Sequence, residues 1–160
     1  MILSLILFFF VGPTCLLFHE IGHGLGVIAT SKSRVHIYLG MRDKNNKENF
    51  RLGRLHFHIQ WSFTGFTYWE EGLGKRQSAI ALVGGPLMSL VLAILFTSLS
   101  LLVSQGVVQQ FASWTAIFTF IQFLGTIIPL TYPGWMGGYS GFPSDGLQLI
   151  RIVKKIKKES

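Results

Sequence analysis

The longest stretch without a charged side chain runs from Gln77 to Ser144 and covers 68 of the 160 residues. A second such stretch extends from Met1 to Phe18. About 20 consecutive apolar residues are enough for a helix to cross the hydrocarbon core of a bilayer. Charged residues make up only 13% of the chain, which is less than the surface of a soluble domain of this size needs. The sequence therefore predicts an integral membrane protein in contact with a lipid bilayer.

Three membrane-spanning helices are predicted from the apolar blocks, covering residues 2–29, 78–104 and 111–130. Nine of the 14 lysine and arginine residues lie in the segment 31–76, and the other five lie in the segment 151–158. Basic residues in short loops stay on the cytoplasmic side, so we expect both segments to be cytoplasmic in a multi-pass protein of the cell membrane. Since this orientation already explains the net charge of +7, no nucleic acid partner is expected.

A small β-ribbon is predicted within residues 35–69, at the cytoplasmic face. The run Arg54–Trp61 alternates polar and apolar residues, and Val35–Leu39 and Phe63–Trp69 are also strand-like. Asp43–Lys47 has the composition of an exposed turn.

The C-terminal part of the chain predicts a loop followed by a surface helix. Residues 131–143 are too rich in Gly and Pro for a regular helix, which favours a re-entrant or interfacial loop. Ser144 can cap a last helix over residues 145–157, whose apolar and cationic sides place it at the inner membrane interface. The predicted fold is a single domain, mainly α, with three transmembrane helices, the β-ribbon and this interfacial C-terminal helix.

The most specific motif in the chain is His19-Glu20-Ile21-Gly22-His23. Residues at i and i+4 share one face of a helix, so His19 and His23 can bind one metal ion, with Glu20 beside it as a general base. Ionisable residues within a membrane span are energetically costly and therefore indicate function. The competing interpretation is that these polar side chains only hydrogen-bond to neighbouring helices.

A catalytic zinc ion usually has three protein ligands, so the motif needs a partner. Asp145 is the only acidic residue between Glu71 and Glu159 and is the leading candidate. An aspartate at this position could instead cap the last helix or stabilise its first turn. His56 and His58 share one side of a predicted strand and compete for the ligand role, although such pairs more often form the wet face of an edge strand.

The order of these features resembles the site-two protease family of intramembrane metalloproteases. The resemblance covers essentially the whole chain as a minimal three-span core. It is carried by HE-x-x-H in the first span, Gly85-Pro86 in the second and Asp145-Gly146 after the third. It implies that His19, His23 and Asp145 bind zinc and that Glu20 activates water.

The resemblance also implies that Gly85 and Pro86 belong to a Gly-Pro-x-x-Asn motif near the site, with Ser89 in the place of the asparagine. We therefore expect Gly85, Pro86 and Ser89 to contribute to substrate binding. Thr126 is a second departure, because asparagine is common three residues before Pro129. These departures concern substrate binding more than zinc binding.

The predicted function is hydrolysis of peptide bonds in membrane-embedded or membrane-adjacent proteins and peptides, with regulation left to a separate membrane protein. The β-ribbon over residues 35–69 could provide an edge strand to which an unwound substrate adds, a hypothesis motivated by the alternation in Arg54–Trp61. The alternative is a non-catalytic metal-binding membrane scaffold derived from such a protease, which the departures at Ser89 and Thr126 motivate. A metal transporter would usually need more than three spans.

Overall fold

A computed structural model of the chain describes residues 2–157, and it describes side chains for residues 8–156. The helices are α1 (Ile2–Thr30), α2 (Lys75–Leu102), α3 (Val107–Ile127) and α4 (Asp145–Lys157), with a short 3₁₀ helix at Gly134–Tyr139. The strands β1 (Val35–Leu39), β2 (Phe50–Leu52), β3 (Leu55–Ile59) and β4 (Gly65–Trp69) all lie between α1 and α2. This arrangement confirms the prediction of a mainly helical chain with a small sheet.

Two of the described helices, α2 and α3, are long and apolar enough to cross a membrane. Both start three to four residues earlier than predicted, at Lys75 and Val107. Helix α1 carries the HE-x-x-H motif. Its role as a third span stays a prediction.

Helices α1 and α2 approach each other closely because glycines line their contact. A methyl group on Gly22 or on Gly84 would overlap the backbone of the other glycine, and one on Gly26 would press on Ala81. Small residues at such spacing let helix backbones meet, which is a common way to pack helices in membranes. Helix α2 continues through Gly85 and Pro86, so these residues face α1 within a regular helix.

The sheet differs from the predicted ribbon in its strand order, which is β2-β3-β1-β4. Strand β1 is parallel to β3 and antiparallel to β4, so β3 lies inside the sheet. The prediction that His56 and His58 form the wet face of an edge strand is therefore wrong, and both are only 8% exposed. One face of the sheet buries Val35, Ile37 and Phe57 against α1 and α2.

The sheet is also not confined to the C-terminal end of α1. The Trp61 indole N–H donates to the carbonyl of Phe9 at 3.1 Å, and Phe63 stacks on Phe8. Phe9 precedes the end of α1 at Thr30 by about 30 Å of helix rise. These contacts place the β3–β4 loop against the apolar N-terminal half of α1. The alternation of polar and apolar residues did not predict this packing.

Candidate metal centre

His19, His23 and Asp145 meet at one point between α1 and α4. The two Nε2 atoms lie 3.1 Å apart. Asp145 Oδ2 lies 3.3 Å from His19 Nε2 and 3.5 Å from His23 Nε2. Both histidines are buried, and among the described residues these three form the one group of His, Cys, Asp or Glu whose ligand atoms converge tightly enough to hold a metal ion.

The start of α4 explains how Asp145 reaches α1. The Ser144 hydroxyl oxygen accepts a hydrogen bond from the Leu147 N–H at 3.2 Å, so Ser144 caps the helix and the Asp145 carboxylate is free for other contacts. A methyl group on Gly146 would overlap the Ile127 carbonyl oxygen, so glycine lets the first turn of α4 lie against the end of α3. Asp145 is therefore not the capping residue, whereas its position in the first turn of α4 agrees with the other part of that alternative interpretation.

The outer nitrogens of both imidazoles are held by groups on α2. His23 Nδ1 lies 2.7 Å from the Ala81 carbonyl oxygen, which only accepts hydrogen bonds. His23 Nδ1 therefore carries the proton, and its Nε2 lone pair points to the centre. His19 Nδ1 lies 2.8 Å from the Ser89 hydroxyl. Such contacts to the non-ligating nitrogen fix the ring orientation of metal-binding histidines.

The spacing of the three atoms fits a tetrahedral metal site. Nitrogen and oxygen ligands about 2.0–2.1 Å from a tetrahedral zinc ion lie roughly 3.3–3.4 Å from one another. The three distances of 3.1, 3.3 and 3.5 Å bracket that value without any movement of the side chains. Burial alone would raise the pKa of Asp145, but His23 and His19 outweigh it and hold the pKa below its ordinary value, so the carboxylate is ionised. His19, His23 and Asp145 would together give a bound metal ion three protein ligands.

Two of the three residues that the resemblance assigns to substrate binding, Gly85 and Ser89, lie against the imidazoles. A methyl group on Gly85 would overlap the His23 ring, so this glycine makes room for the ligand. Pro86 and Ser89 are fully buried in α2, and Ser89 contacts His19. None of the three lines the adjoining cavity. Their contribution to substrate binding stays a prediction, whereas Gly85 and Ser89 contact the imidazoles directly.

Glu20 lies beside the three ligands and is held by Thr67 of β4. The Thr67 hydroxyl donates to Glu20 Oε2 at 2.7 Å and also approaches the Glu20 backbone carbonyl oxygen at 2.9 Å. Gly65 lets β4 pass close to this carboxylate, because a methyl group there would press on Glu20 Cγ. Thr67 and Gly65 could not be predicted from the sequence, since nothing in a strand-like run indicates which residues face a helix about 45 positions earlier.

A cavity of about 420 Å³ opens next to the centre and contains Glu20 and all three ligands in its wall. Aromatic and aliphatic side chains from α1, α3, β4 and the 131–143 loop form most of the remaining wall. The side chains of Tyr132 and Tyr139 also line this cavity. Burial raises the pKa of Tyr132 to about 12 and that of Tyr139 further still, so both stay protonated at neutral pH.

One edge of the sheet faces this cavity. The hydrogen bonds from Gly40 N to Thr64 O and from Glu70 N to Arg34 O pair β4 with β1. Backbone groups alternate along an antiparallel strand, so those of residues 65, 67 and 69 point to the opposite edge. Strand β4 ends the sheet there, and the Gly65 N–H donates to the Tyr139 hydroxyl at 2.6 Å.

A second histidine group occupies the face of the sheet that points away from α1. His36 Nδ1 lies 3.1 Å from His58 Nε2, and His56 stacks on His36. Carboxylates hold the outer sides of this group, with Glu70 at 3.0 Å from His36 and Glu48 at 2.8 Å from His56. His56 and His58 are therefore not brought to the metal centre.

Comparisons with known proteins assign no family to this arrangement. No protein-family model, curated protein or solved structure matches the chain. The class of site is therefore defined by its geometry alone, as a buried two-histidine, one-carboxylate centre with a neighbouring glutamate and an apolar cavity.

Proposed function

We propose that the protein is a membrane-embedded zinc endopeptidase. The observation that carries this proposal is the triangle of His19, His23 and Asp145, which has the edge lengths of a tetrahedral zinc site. Glu20 beside it and the adjoining cavity add the base and the space that peptide hydrolysis needs.

The residues of the chain divide the chemistry among them. A zinc ion held by the three ligands would acidify a bound water molecule and polarise the scissile carbonyl. Glu20 takes a proton as water attacks the carbonyl carbon and returns a proton to the amine that leaves. The Thr67 hydroxyl holds one oxygen of Glu20, which leaves Oε1 to receive the proton.

The outer edge of β4 is the element best placed to bind an extended substrate. A helical peptide hides its carbonyl groups in its own hydrogen bonds, so a substrate must unwind before it can be cleaved. The backbone groups of Thr67 and Trp69 and the Gly65 carbonyl could pair with it as an added strand, with apolar side chains entering the cavity. The Gly65 N–H already donates to the Tyr139 hydroxyl. Strand β4 belongs to the 35–69 segment for which an edge strand was predicted, whereas β3, whose alternation motivated that hypothesis, lies inside the sheet.

The membrane arrangement extends the proposal to the substrate. Helices α2 and α3 are apolar enough to span a bilayer, and α1 packs along α2 over the length that carries the motif. We infer that α1 is a third span and that the basic segments are cytoplasmic. The substrate is then a membrane protein or peptide whose cleaved bond lies within or beside the bilayer, and regulation comes from a separate membrane protein.

The test is co-expression with candidate single-span membrane proteins, comparing the wild type with Glu20→Gln. We expect the variant to lose about 10²–10⁴-fold in cleavage rate, because it cannot accept the proton, while it keeps its zinc content. Zinc in the purified proteins is measured by inductively coupled plasma mass spectrometry. A scaffold would be indifferent to Glu20→Gln, and a transporter would show metal flux in vesicles. Cleavage that survives the substitution would contradict the proposal.

A further inference from the structure

Gln122 of α3 presents an unpartnered amide at the cavity. Both its Nε2 and its Oε1 are buried, and neither has a hydrogen-bond partner among the described residues. The side chain belongs to the wall of the same cavity as Glu20 and Asp145. A buried amide without partners destabilises the folded protein, so its presence at the cavity wall requires a reason.

Other polar side chains of the cavity wall do have partners. The Gln148 amide nitrogen donates to the Pro143 carbonyl oxygen at 3.1 Å. The Thr126 hydroxyl donates to the Gln122 backbone carbonyl oxygen at 3.0 Å, and Thr67 donates to Glu20. The unsatisfied amide is therefore a property of Gln122 and not of the polar groups along this wall in general.

We propose that the Gln122 carboxamide binds the backbone of the peptide substrate, with its NH₂ group donating to a peptide carbonyl and its Oε1 accepting from a peptide N–H. This inference rests on the proposed function. A peptide paired with β4 directs the backbone groups of every second residue away from that strand. Those groups lose water inside an apolar cavity and need partners, and a carboxamide offers both the donor and the acceptor that they require.

The experiment compares Gln122→Leu with Gln148→Leu as a matched control, since both replace a cavity-wall amide by an apolar side chain of similar size. Two probes are titrated against the zinc-loaded proteins in detergent. One is a fluorescein-labelled peptidyl hydroxamate, which offers backbone groups as well as a metal-binding group, and its binding is followed by fluorescence anisotropy. The other is acetohydroxamate, which offers the metal-binding group alone and is followed by its competition with the labelled probe.

Gln122→Leu should weaken the peptidyl hydroxamate about tenfold, the loss expected for two neutral hydrogen bonds, and should leave acetohydroxamate unchanged. The same variant should melt at a higher temperature without ligand, because an unpartnered buried amide has been removed. Gln148→Leu should melt at a lower temperature, because the Pro143 carbonyl loses its donor, and should weaken the peptidyl hydroxamate less than Gln122→Leu does.

Equal binding of the peptidyl hydroxamate by Gln122→Leu and the wild type would overturn the inference, as would a lower melting temperature of Gln122→Leu. Both results leave the proposed zinc endopeptidase intact. If neither hydroxamate binds the wild type, the metal centre itself is wrong and the inference falls with it.

Discussion

Two pairs of imidazoles in this protein have ring nitrogens 3.1 Å apart, one within α1 and one across β1 and β3. In the α1 pair, the carboxylate of Asp145 lies on the inner side, where both Nε2 atoms point. In the sheet pair, Glu70 lies on the outer side and contacts His36 Nε2. The two pairs thus differ in where the carboxylate lies relative to the two facing ring nitrogens. A carboxylate beside both nitrogens, as in the α1 pair, forms a candidate set of metal ligands, whereas one on the outer side, as in the sheet pair, extends a row of hydrogen bonds.

The sheet pair can satisfy its hydrogen bonds with a proton alone. His36 Nε2 faces a carboxylate and His58 Nδ1 faces the Asn46 carbonyl oxygen at 3.0 Å, so both of these nitrogens carry hydrogen. The 3.1 Å between His36 Nδ1 and His58 Nε2 is the length of a hydrogen bond between the two rings. The α1 pair has a third ligand and an open cavity instead, which suits a metal ion.

The largest effect should come from Asp145→Asn, which removes the inner carboxylate charge. Changes in the groups that orient metal ligands cost about 10–100-fold in affinity, and the loss of a charged ligand should exceed 100-fold. Zinc affinity is measured by competition with a chromophoric chelator. The matched control is Glu70→Gln, which changes the outer carboxylate of the sheet pair. Equal zinc affinities for the two variants would remove the distinction drawn between the pairs.

Ser89→Ala tests whether the outer partner of His19 matters in the same way. The substitution removes the hydroxyl 2.8 Å from His19 Nδ1 and leaves the ligand itself in place. We expect a loss of zinc affinity of about 10-fold, at the lower end of the range for such partners. Ser89→Thr retains a hydroxyl group and serves as the control. A variant Ser89→Ala with wild-type affinity would show that the helix alone orients His19.

Thr67→Val should affect turnover and leave zinc binding unchanged, because Thr67 holds the base and not the ligands. The hydrogen bond to Glu20 contributes about 1.5–3 kcal/mol, as bonds to charged groups do, so a fall in kcat of about tenfold or more is expected. The substitution is nearly isosteric, which keeps β4 in place. A lower zinc content in this variant would show that Thr67 supports the ligands as well.

The smallest effect concerns the outer carboxylates of the sheet. Hydrogen bonds from His56 and His36 lower the pKa values of Glu48 and Glu70 below the ordinary value of 4.5. A carboxyl group with a lowered pKa stabilises the fold above its ordinary pKa, and this contribution is lost as the pH falls through the lowered value.

The melting temperature of Glu48→Gln/Glu70→Gln should therefore lie slightly below that of the wild type at pH 6, and the two should converge below pH 4. Glu71→Gln is the control. The contact that Glu71 makes within the described residues is a hydrogen bond from its backbone N–H to the Ser33 hydroxyl, which the substitution leaves in place. A difference in melting temperature that grows as the pH falls would show that the ionised carboxylates of Glu48 and Glu70 do not stabilise the fold.

Local patterns in the sequence predicted the elements that follow a helical or strand period. The i, i+4 spacing placed His19 and His23 on one face, and the last helix begins at Asp145 as expected. The pairing of the strands could not be predicted, because the alternation in Arg54–Trp61 does not indicate which strands lie beside that run. Thr67 and Gln122 could not be predicted as residues of the site. The strand order brings Thr67 to Glu20, and the packing of α3 brings Gln122 to the cavity, and neither follows from a local pattern.

Zinc K-edge X-ray absorption of the purified protein tests the central claim most directly. Three donors from α1 and α4 around one ion predict two imidazoles and a total of four nitrogen or oxygen ligands at about 2.0–2.1 Å. Asp145→Asn should alter this shell, and Glu70→Gln should not. A shell with three or more imidazoles, or one that is unchanged in Asp145→Asn, would contradict the account.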